Sequence, residues 1–218
     1  MQTELLIDSI NKSYDNKKIL SDIYLKVNVG DIIGLLGRNG CGKSTLLKII
    51  FGTLDAESKF IRINGIICNN AYEKGLVKLL PQDDFLPKHL NVENIIKLYC
   101  NNGDIKKIKS NKVIEKIYKT KIRNISGGEL RYLETLLIMN LDSDFVLLDE
   151  PFNGVSPIIV EEIKKIIVEK SKSKGIILTD HDYRNILSVS NKLYIMKNGG
   201  IKELKSSEDL IEYGYIHK

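Results

Sequence analysis

From Gly37 onward the chain reads Gly37-Arg38-Asn39-Gly40-Cys41-Gly42-Lys43-Ser44-Thr45, the GxxxxGK[ST] spacing of a loop that can wrap a phosphate chain. Glycines let the backbone curl so that successive N–H groups point inward, and a helix that follows adds its positive end. Lys43 can reach the outer phosphates, and the Ser44 hydroxyl can ligate Mg²⁺. A second acid–base group sits far along the chain, where Phe145-Val146-Leu147-Leu148 runs into Asp149-Glu150-Pro151. Adjacent carboxylates closing an apolar strand are expensive unless they face a cation. Asp149 is placed to hold Mg²⁺, directly or through water, and Glu150 to orient and activate an attacking water. His181 ends a further apolar run that starts at Gly175, where it is well placed to touch a terminal phosphate. The chemistry expected of this set is binding and hydrolysis of a nucleoside triphosphate.

The flanking segments supply the elements that such a set needs. Asp31-Ile32-Ile33-Gly34-Leu35-Leu36 reads as a buried strand, and Leu46-Leu47-Lys48-Ile49-Ile50-Phe51 as a helix with one apolar face. Residues 5–10 read as a first strand, and Ile23, Leu25, Val27 and Val29 alternate like a half-buried antiparallel one. Tyr14 lies in the polar turn Lys12–Lys17. It could stack on a base or plug the edge of the sheet, and the local sequence favours the plug. Residues 60–66 and 76–80 read as strands, and Lys192–Lys197 with Ile201–Leu204 as a hairpin across Asn198-Gly199-Gly200. Between them the period becomes helical. Asn91 can cap a helix carrying Val92, Ile95, Ile96 and Tyr99, and Asn111 one carrying Val113, Ile114, Ile117 and Tyr118, with Asn101-Asn102-Gly103-Asp104 as the spacer. Ser126-Gly127-Gly128-Glu129 opens a long amphipathic helix with Leu130, Leu133, Leu137 and Leu141. Ser156 and Pro157 supply an N-cap and first-turn proline for another, and a short capped helix and tail follow Ser206.

Size and composition narrow the class. A chain of 218 residues, 43% hydrophobic and 28% charged, suits one α/β domain with a well-buried core. No apolar run approaches the roughly 20 residues needed to span a bilayer. The start, Met1-Gln2-Thr3-Glu4-Leu5-Leu6, lacks the layout of a secretory leader. Three cysteines (Cys41, Cys68, Cys100) without paired spacing point to a reducing, cytosolic compartment. The net charge is +5, and residues 104–123 hold eight Lys or Arg against two acids. Such a run is ordinarily a solvated face, and nucleic-acid binding is not expected.

Taken together and in this order, these pieces resemble the nucleotide-binding subunit of ATP-binding cassette (ABC) proteins, over about Tyr14 to Lys202. Gly37–Thr45 matches the Walker A motif, Gln82 the Q-loop, Ile125–Glu129 the signature motif, Phe145–Glu150 Walker B, and His181 the switch histidine. Tyr14 falls where the family has an adenine-stacking aromatic, which reverses the preference for a plug. The resemblance implies a P-loop NTPase core of RecA type, an N-terminal antiparallel β subdomain and a short helical insertion, all in one nucleotide-binding domain over 1–218. The insertion would span about 84–124, or 84–140 with the signature helix. The ligands implied are ATP and Mg²⁺, the metal being held by Ser44, Asp149 and Gln82. Glu150, His181, Gln82 and Lys43 would carry the catalysis. Ser126, Gly127 and Gly128 would donate to the γ-phosphate of a partner subunit in a head-to-tail dimer, formed with a second copy or a paralogous chain.

Residues 149–155 with 179–181 look most like ATPases of lipopolysaccharide export and branched-chain amino-acid import. A separate transmembrane permease is therefore expected, with this chain peripheral on the cytoplasmic face of the membrane. In such transporters a groove beside the insertion receives a short helix of the permease, here expected to be lined by Phe85, Leu86, Leu90 and Val92. The alternative is a soluble ATP-driven switch or assembly factor, as in iron–sulfur-cluster assembly. The chain departs from the family in having Ser156 where an Asp is usual after Walker B, Ile125 in place of Leu, and Tyr132-Leu133 after the signature.

Overall fold

The computed structural model describes residues 3–15, 17–206 and 209–215; Asn16 of the expected turn and the end of the expected tail lie outside them. Two sheets organise the chain. Strands β1 (Glu4–Tyr14), β2 (Lys17–Asn28), β4 (Ser58–Ile63) and β5 (Ile66–Ile67) form an antiparallel sheet in the order β2-β1-β4-β5. The other sheet contains β3 (Ile32–Leu36), β6 (Val77–Leu80), β7 (Phe145–Asp149), β8 (Gly175–Thr179), β9 (Lys192–Lys197) and β10 (Gly200–Leu204), in the order β10-β9-β3-β8-β7-β6. Only β10 runs antiparallel to its neighbour. It is joined to β9 through Asn198 (φ 52°) and Gly199 (φ 81°), a pair of left-handed residues suited to a two-residue hairpin.

Strand alternation divides the core in two. Ile33, Leu35, Phe145, Leu147 and Ile177 point to one side, with helix α1 (Lys43–Phe51) and the antiparallel sheet. Ile32, Leu36, Val146, Leu148, Ile176 and Leu178 point to the other. There they meet α2 (Val92–Tyr99), α4 (Lys112–Ile117), α5 (Gly127–Asn140), α6 (Pro157–Ser171) and α7 (Tyr183–Val189). Burial on both faces is why these strands read as continuous apolar runs.

The helices depart from the sequence reading in three respects. The Asn101–Asp104 spacer is the start of α3 (Asn102–Lys109), with the Asn101 side chain accepting from the Asp104 amide at 3.1 Å; Asn-rich clusters serve as caps as readily as loops. Helix α5 is not amphipathic. Leu130 to Met139 is buried throughout, because the helix lies between the sheet and its neighbours α2, α4 and α6. Of the expected caps Asn91, Asn111 and Ser156, Asn111 accepts from the Val113 and Ile114 amides, whereas Asn91 and Ser156 stand at N-cap positions without a side-chain capping bond. Asn91 instead forms a backbone bridge to Lys121. A short helix, α8 (Asp209–Glu212), follows β10. Among the described residues no helix is long and apolar enough to cross a membrane.

Candidate functional site

Parallel register brings the chemistry together. Leu35 pairs with Thr179, Thr179 with Asp149, and Leu148 with Leu80. The C-terminal ends of β3, β8, β7 and β6 are therefore level, at the edge where open α/β sheets bind ligands. Four loops leave from that edge, carrying residues 37–45, 180–182, 150–155 and 81–90. Residues far apart in sequence thus share one cavity of about 460 Å³ lined by Tyr14, Ile19, Asn39, Gly40, Gly42, Lys43, Ser44, Thr45, Gln82, Glu150 and His181, a size suited to a small-molecule ligand.

The phosphate loop needs its glycines. Gly40 (φ 76°) and Gly42 (φ 108°) lie in the left-handed region, and a Cβ on Gly42 would approach Ile19 Cγ2 to 2.8 Å. Lys43 is buried, and its Nζ donates to the carbonyls of Gly37 at 2.7 Å and Arg38 at 3.3 Å. An incoming phosphate can take this ammonium over from the loop. The side chains of Arg38 and Cys41 do not reach the cavity that the cradle was expected to form around them; they line a different one. Tyr14 is 47% exposed at the cavity wall, with the Lys12 ammonium 5.1 Å from its ring centroid. It is open to a planar ligand and does not plug the sheet.

The carboxylates differ in their surroundings. Asp149 Oδ1 accepts from Ser44 Oγ at 3.1 Å and from Thr179 Oγ1 at 2.7 Å. Among the described residues no cluster of three His, Cys, Asp or Glu side chains could hold a metal. One hydroxyl and one carboxylate side by side fit Mg²⁺, which takes few protein ligands and completes its shell with phosphate oxygens and water. Gln82, expected at the metal, reaches the carboxylate of the neighbouring residue, Glu150. Its Nε2 donates to Glu150 Oε2 at 3.1 Å. His181 Nδ1 lies 3.1 Å from Glu150 Oε1, and Asn153 Nδ2 donates to Oε2 at 3.4 Å. Burial raises the Glu150 pKa, opposed by His181 and Lys43 and reinforced by Asp149 and Asp180. A carboxylate tuned upward is a better proton acceptor.

Glu150 has φ 55°, a left-handed conformation that is unfavourable for a side-chain-bearing residue. Its backbone is held from both sides. The amide donates to Thr179 O at 3.0 Å, and the carbonyl accepts from Arg131 Nη2 at 3.1 Å and Nε at 3.3 Å. The same guanidinium donates to the carbonyls of Asp149 and, at 2.8 Å, of Pro81, the residue before Gln82. Glu134, fully buried, lies 3.5 Å from Arg131 and accepts from the Phe85 amide at 2.9 Å. One arginine thus sets the backbone on which both Gln82 and Glu150 are mounted. The sequence reading missed Arg131 and Glu134; the available signal was an i, i+3 charge pair inside an otherwise apolar helix.

The remaining expected site residues lie elsewhere. Ser126, Gly127 and Gly128 line no part of the nucleotide cavity. They begin α5 in a capping box, Ser126 Oγ and the Ser126 amide both donating to the Glu129 carboxylate, at 2.8 and 2.9 Å. Gly128 lies against the Gly154–Ser156 backbone. The expected apolar groove is mostly filled from within. Leu86 and Val92 are buried in the core, and Phe85 and Leu90 pack against it, Phe85 with its ring centroid 6.3 Å from that of Tyr99. These side chains anchor the insertion, leaving Leu98 on α2 as the exposed apolar residue there, 71% accessible.

Comparison with known proteins agrees with this geometry. The ABC transporter family model matches residues 20–153, more than half of the chain. The chain is 34% identical over 213 residues to the lipopolysaccharide export system ATP-binding protein LptB of Haemophilus influenzae, covering 90% of this chain and 88% of that protein. It is 30% identical over 210 residues to LptB of Escherichia coli K12, covering 89% and 87%. Among solved structures, it matches an ATP binding subunit of an ABC transporter with a TM-score of 0.81 at 21% identity, covering 96% of this chain and 93% of that one. A nucleotide-free ATP-binding cassette from an ABC transporter matches over 100% of both chains, with a TM-score of 0.78 at 23% identity. At these identities the structural matches speak for the fold, and the sequence matches for the family. The chain therefore belongs to the ABC transporter family and is an ATPase of its ATP-binding type.

Proposed function

We propose that the chain is the ATP-binding and ATP-hydrolysing subunit energising a membrane transporter whose membrane domain is a separate chain. The observation that carries this reading is the meeting of Glu150 with Gln82 and His181 beside the phosphate loop. Backbone amides of the loop and the Lys43 ammonium bind the outer phosphates, and Tyr14 faces the base. Ser44 and Asp149, with Gln82, would hold Mg²⁺, which would neutralise phosphate charge. Glu150 takes a proton from the attacking water while Gln82 orients it, and His181 steadies the γ-phosphate. Fixed donors aimed at developing charge are the main source of rate in such a site.

In this reading the chain works as a head-to-tail dimer, with itself or with a paralogous subunit. Ser126, Gly127 and Gly128, which lie outside their own nucleotide cavity, complete the partner's site. The permease would hold the dimer at the cytoplasmic face of the membrane. Similarity to lipopolysaccharide export proteins supports transport over a soluble assembly factor. The test is to assay Mg²⁺-dependent ATP hydrolysis by the purified chain and to recover it from detergent-solubilised membranes with its partner chains. Co-purification of a membrane-spanning protein is expected. Hydrolysis by a protein found wholly in the soluble fraction would favour the assembly-factor reading.

A further inference from the structure

Charge is distributed unevenly along this chain. Residues 88–123 hold ten Lys or Arg against three acids, a net +7 where the whole chain carries +5. The rest of the molecule is therefore slightly acidic, and the positive field is concentrated on the helical insertion. All ten cations are exposed. Glu93 engages Lys97 and Lys119, and Glu169 engages Lys107; among the described residues the other seven make no ion pair.

The fold gathers these cations into one band. The Arg123 amide donates to the Lys88 carbonyl at 3.1 Å, and Lys121 bridges to Asn91. Lys88, Lys121 and Arg123 thus share a short antiparallel pairing at the start of α2. One step further the Glu93 amide donates to the Tyr118 carbonyl at 2.9 Å, and the Glu93 carboxylate sits between Lys97 of α2 and Lys119. The Tyr118 ring has Lys119 Nζ 5.6 Å and Lys109 Nζ 5.2 Å from its centroid, which brings in α3. Lys112 and Lys116, four residues apart on α4, share one helix face. Neighbouring cations act together, because exposed charges are screened only over about 8 Å at physiological salt. None of these residues lines the nucleotide cavity.

We infer that this band is a docking surface for the anionic lipid headgroups of a membrane. The choice of a membrane rests on the transporter reading above, and three features of the band support it. Its charge complements an anionic surface, and a cluster of exposed cations gains with each residue that reaches one. Nine of the ten cations are Lys, compact point charges that suit a diffuse lipid surface, whereas nucleic acid is read largely through planar Arg forks. Among the described residues of the insertion the one exposed large apolar side chain is Leu98, 71% accessible and next to Lys97. An aliphatic side chain can enter the headgroup layer. Stacking on nucleic-acid bases needs exposed aromatic rings, and Tyr118 is buried.

The experiment measures binding of the full-length chain to protein-free vesicles, either phosphatidylcholine alone or with phosphatidylglycerol. The variant Lys106→Gln/Lys112→Gln/Lys116→Gln/Lys121→Gln removes four exposed, unpaired cations from the band. A control, Lys18→Gln/Lys74→Gln/Lys172→Gln/Lys205→Gln, removes the same charge from exposed positions elsewhere. Wild type should bind the anionic vesicles alone and leave them in about 1 M salt, where screening shortens to about 3 Å. Each lysine near an anionic surface is worth about fivefold in affinity, so the band variant should bind about a hundredfold more weakly or worse. The control should bind like wild type, and ATP hydrolysis should be unchanged in all three. Equal binding to neutral and anionic vesicles, or equal losses in band variant and control, overturns the proposal. Displacement from the vesicles by duplex RNA at equal phosphate concentration overturns it in favour of nucleic acid. The vesicles hold no permease, so failure here with a membrane-spanning protein still co-purifying removes the band and leaves the transporter reading.

Discussion

The way the site is held makes Arg131→Met the most informative single change. Arg131 is 5% exposed and Glu134 0%. The guanidinium donates to the carbonyls of Pro81, Asp149 and Glu150, while its distance to Glu134, 3.5 Å, makes the ion pair the loosest of its contacts. Methionine fills much of the same space and removes every donor. Three carbonyls lose a partner, and Glu134 is left as a buried carboxylate with the Phe85 amide but no cation. Breaking a buried pair from one side costs about 3–5 kcal/mol. The Glu150 carbonyl keeps the Asn153 amide at 3.3 Å, and each of the other two adds up to about 1 kcal/mol, less where it relaxes toward water. A total of about 4–6 kcal/mol is a large share of the roughly 5–15 kcal/mol that holds a domain together. For a chain of this size the melting temperature should fall by about 10–20 °C.

The origin of the loss is checked by Glu134→Gln added to Arg131→Met. The glutamine amide oxygen can still accept from Phe85 but carries no charge, so the double variant should recover about 2 kcal/mol. The assay is denaturant unfolding with linear extrapolation, paired with ATPase kinetics below the melting temperature. In both variants kcat should fall more than KM rises, because Gln82 and Glu150 lose their placement. A loss below about 1 kcal/mol in Arg131→Met, or a double variant less stable than the single one, would refute the reasoning.

Glu150→Gln should keep ATP binding while turnover drops by about 10²–10⁴-fold, the worth of a general base, as read by parallel binding and hydrolysis assays. Because the folded-state pKa of Glu150 lies above its ordinary value of 4.5, ionisation works against the fold as pH rises through the folded pKa. The same variant should therefore melt above wild type at neutral pH and lose that advantage below the ordinary value. Ser156→Asp should leave stability within about 0.5 kcal/mol, since Ser156 makes no side-chain capping bond. Removal of the family's usual charge should have loosened the coupling between paired sites, so its restoration should raise the Hill coefficient for ATP hydrolysis in the assembled complex. Phe85→Ala should lower stability by about 2 kcal/mol, because its ring packs on the insertion. Leu98→Asp, at an exposed position, should leave the fold intact and reduce the membrane-bound share in cell fractionation.

Much of this protein was determined locally. The glycines at 40 and 42 are needed wherever the backbone must turn left-handed around phosphate, and that requirement is written in residue type. The strands β3, β7 and β8 announced themselves as apolar runs because both their faces are covered. Asp149, Glu150 and His181 could be picked out because polar groups ending such runs must face something polar. What the sequence could not decide is which side chain meets which across the strand ends. Gln82 meets Glu150 through the register of β6 on β7, and Arg38 and Cys41 turned to a second cavity through the twist of their own loop. The burial of α5 on all sides, and with it the importance of Arg131 and Glu134, depends on which helices pack around it. The contact of the Arg38 guanidinium with the Gly214 carbonyl joins residues 176 apart in the chain. Contacts between residues so distant in sequence leave no periodic trace, because period reports only which face of an element is covered and not what covers it.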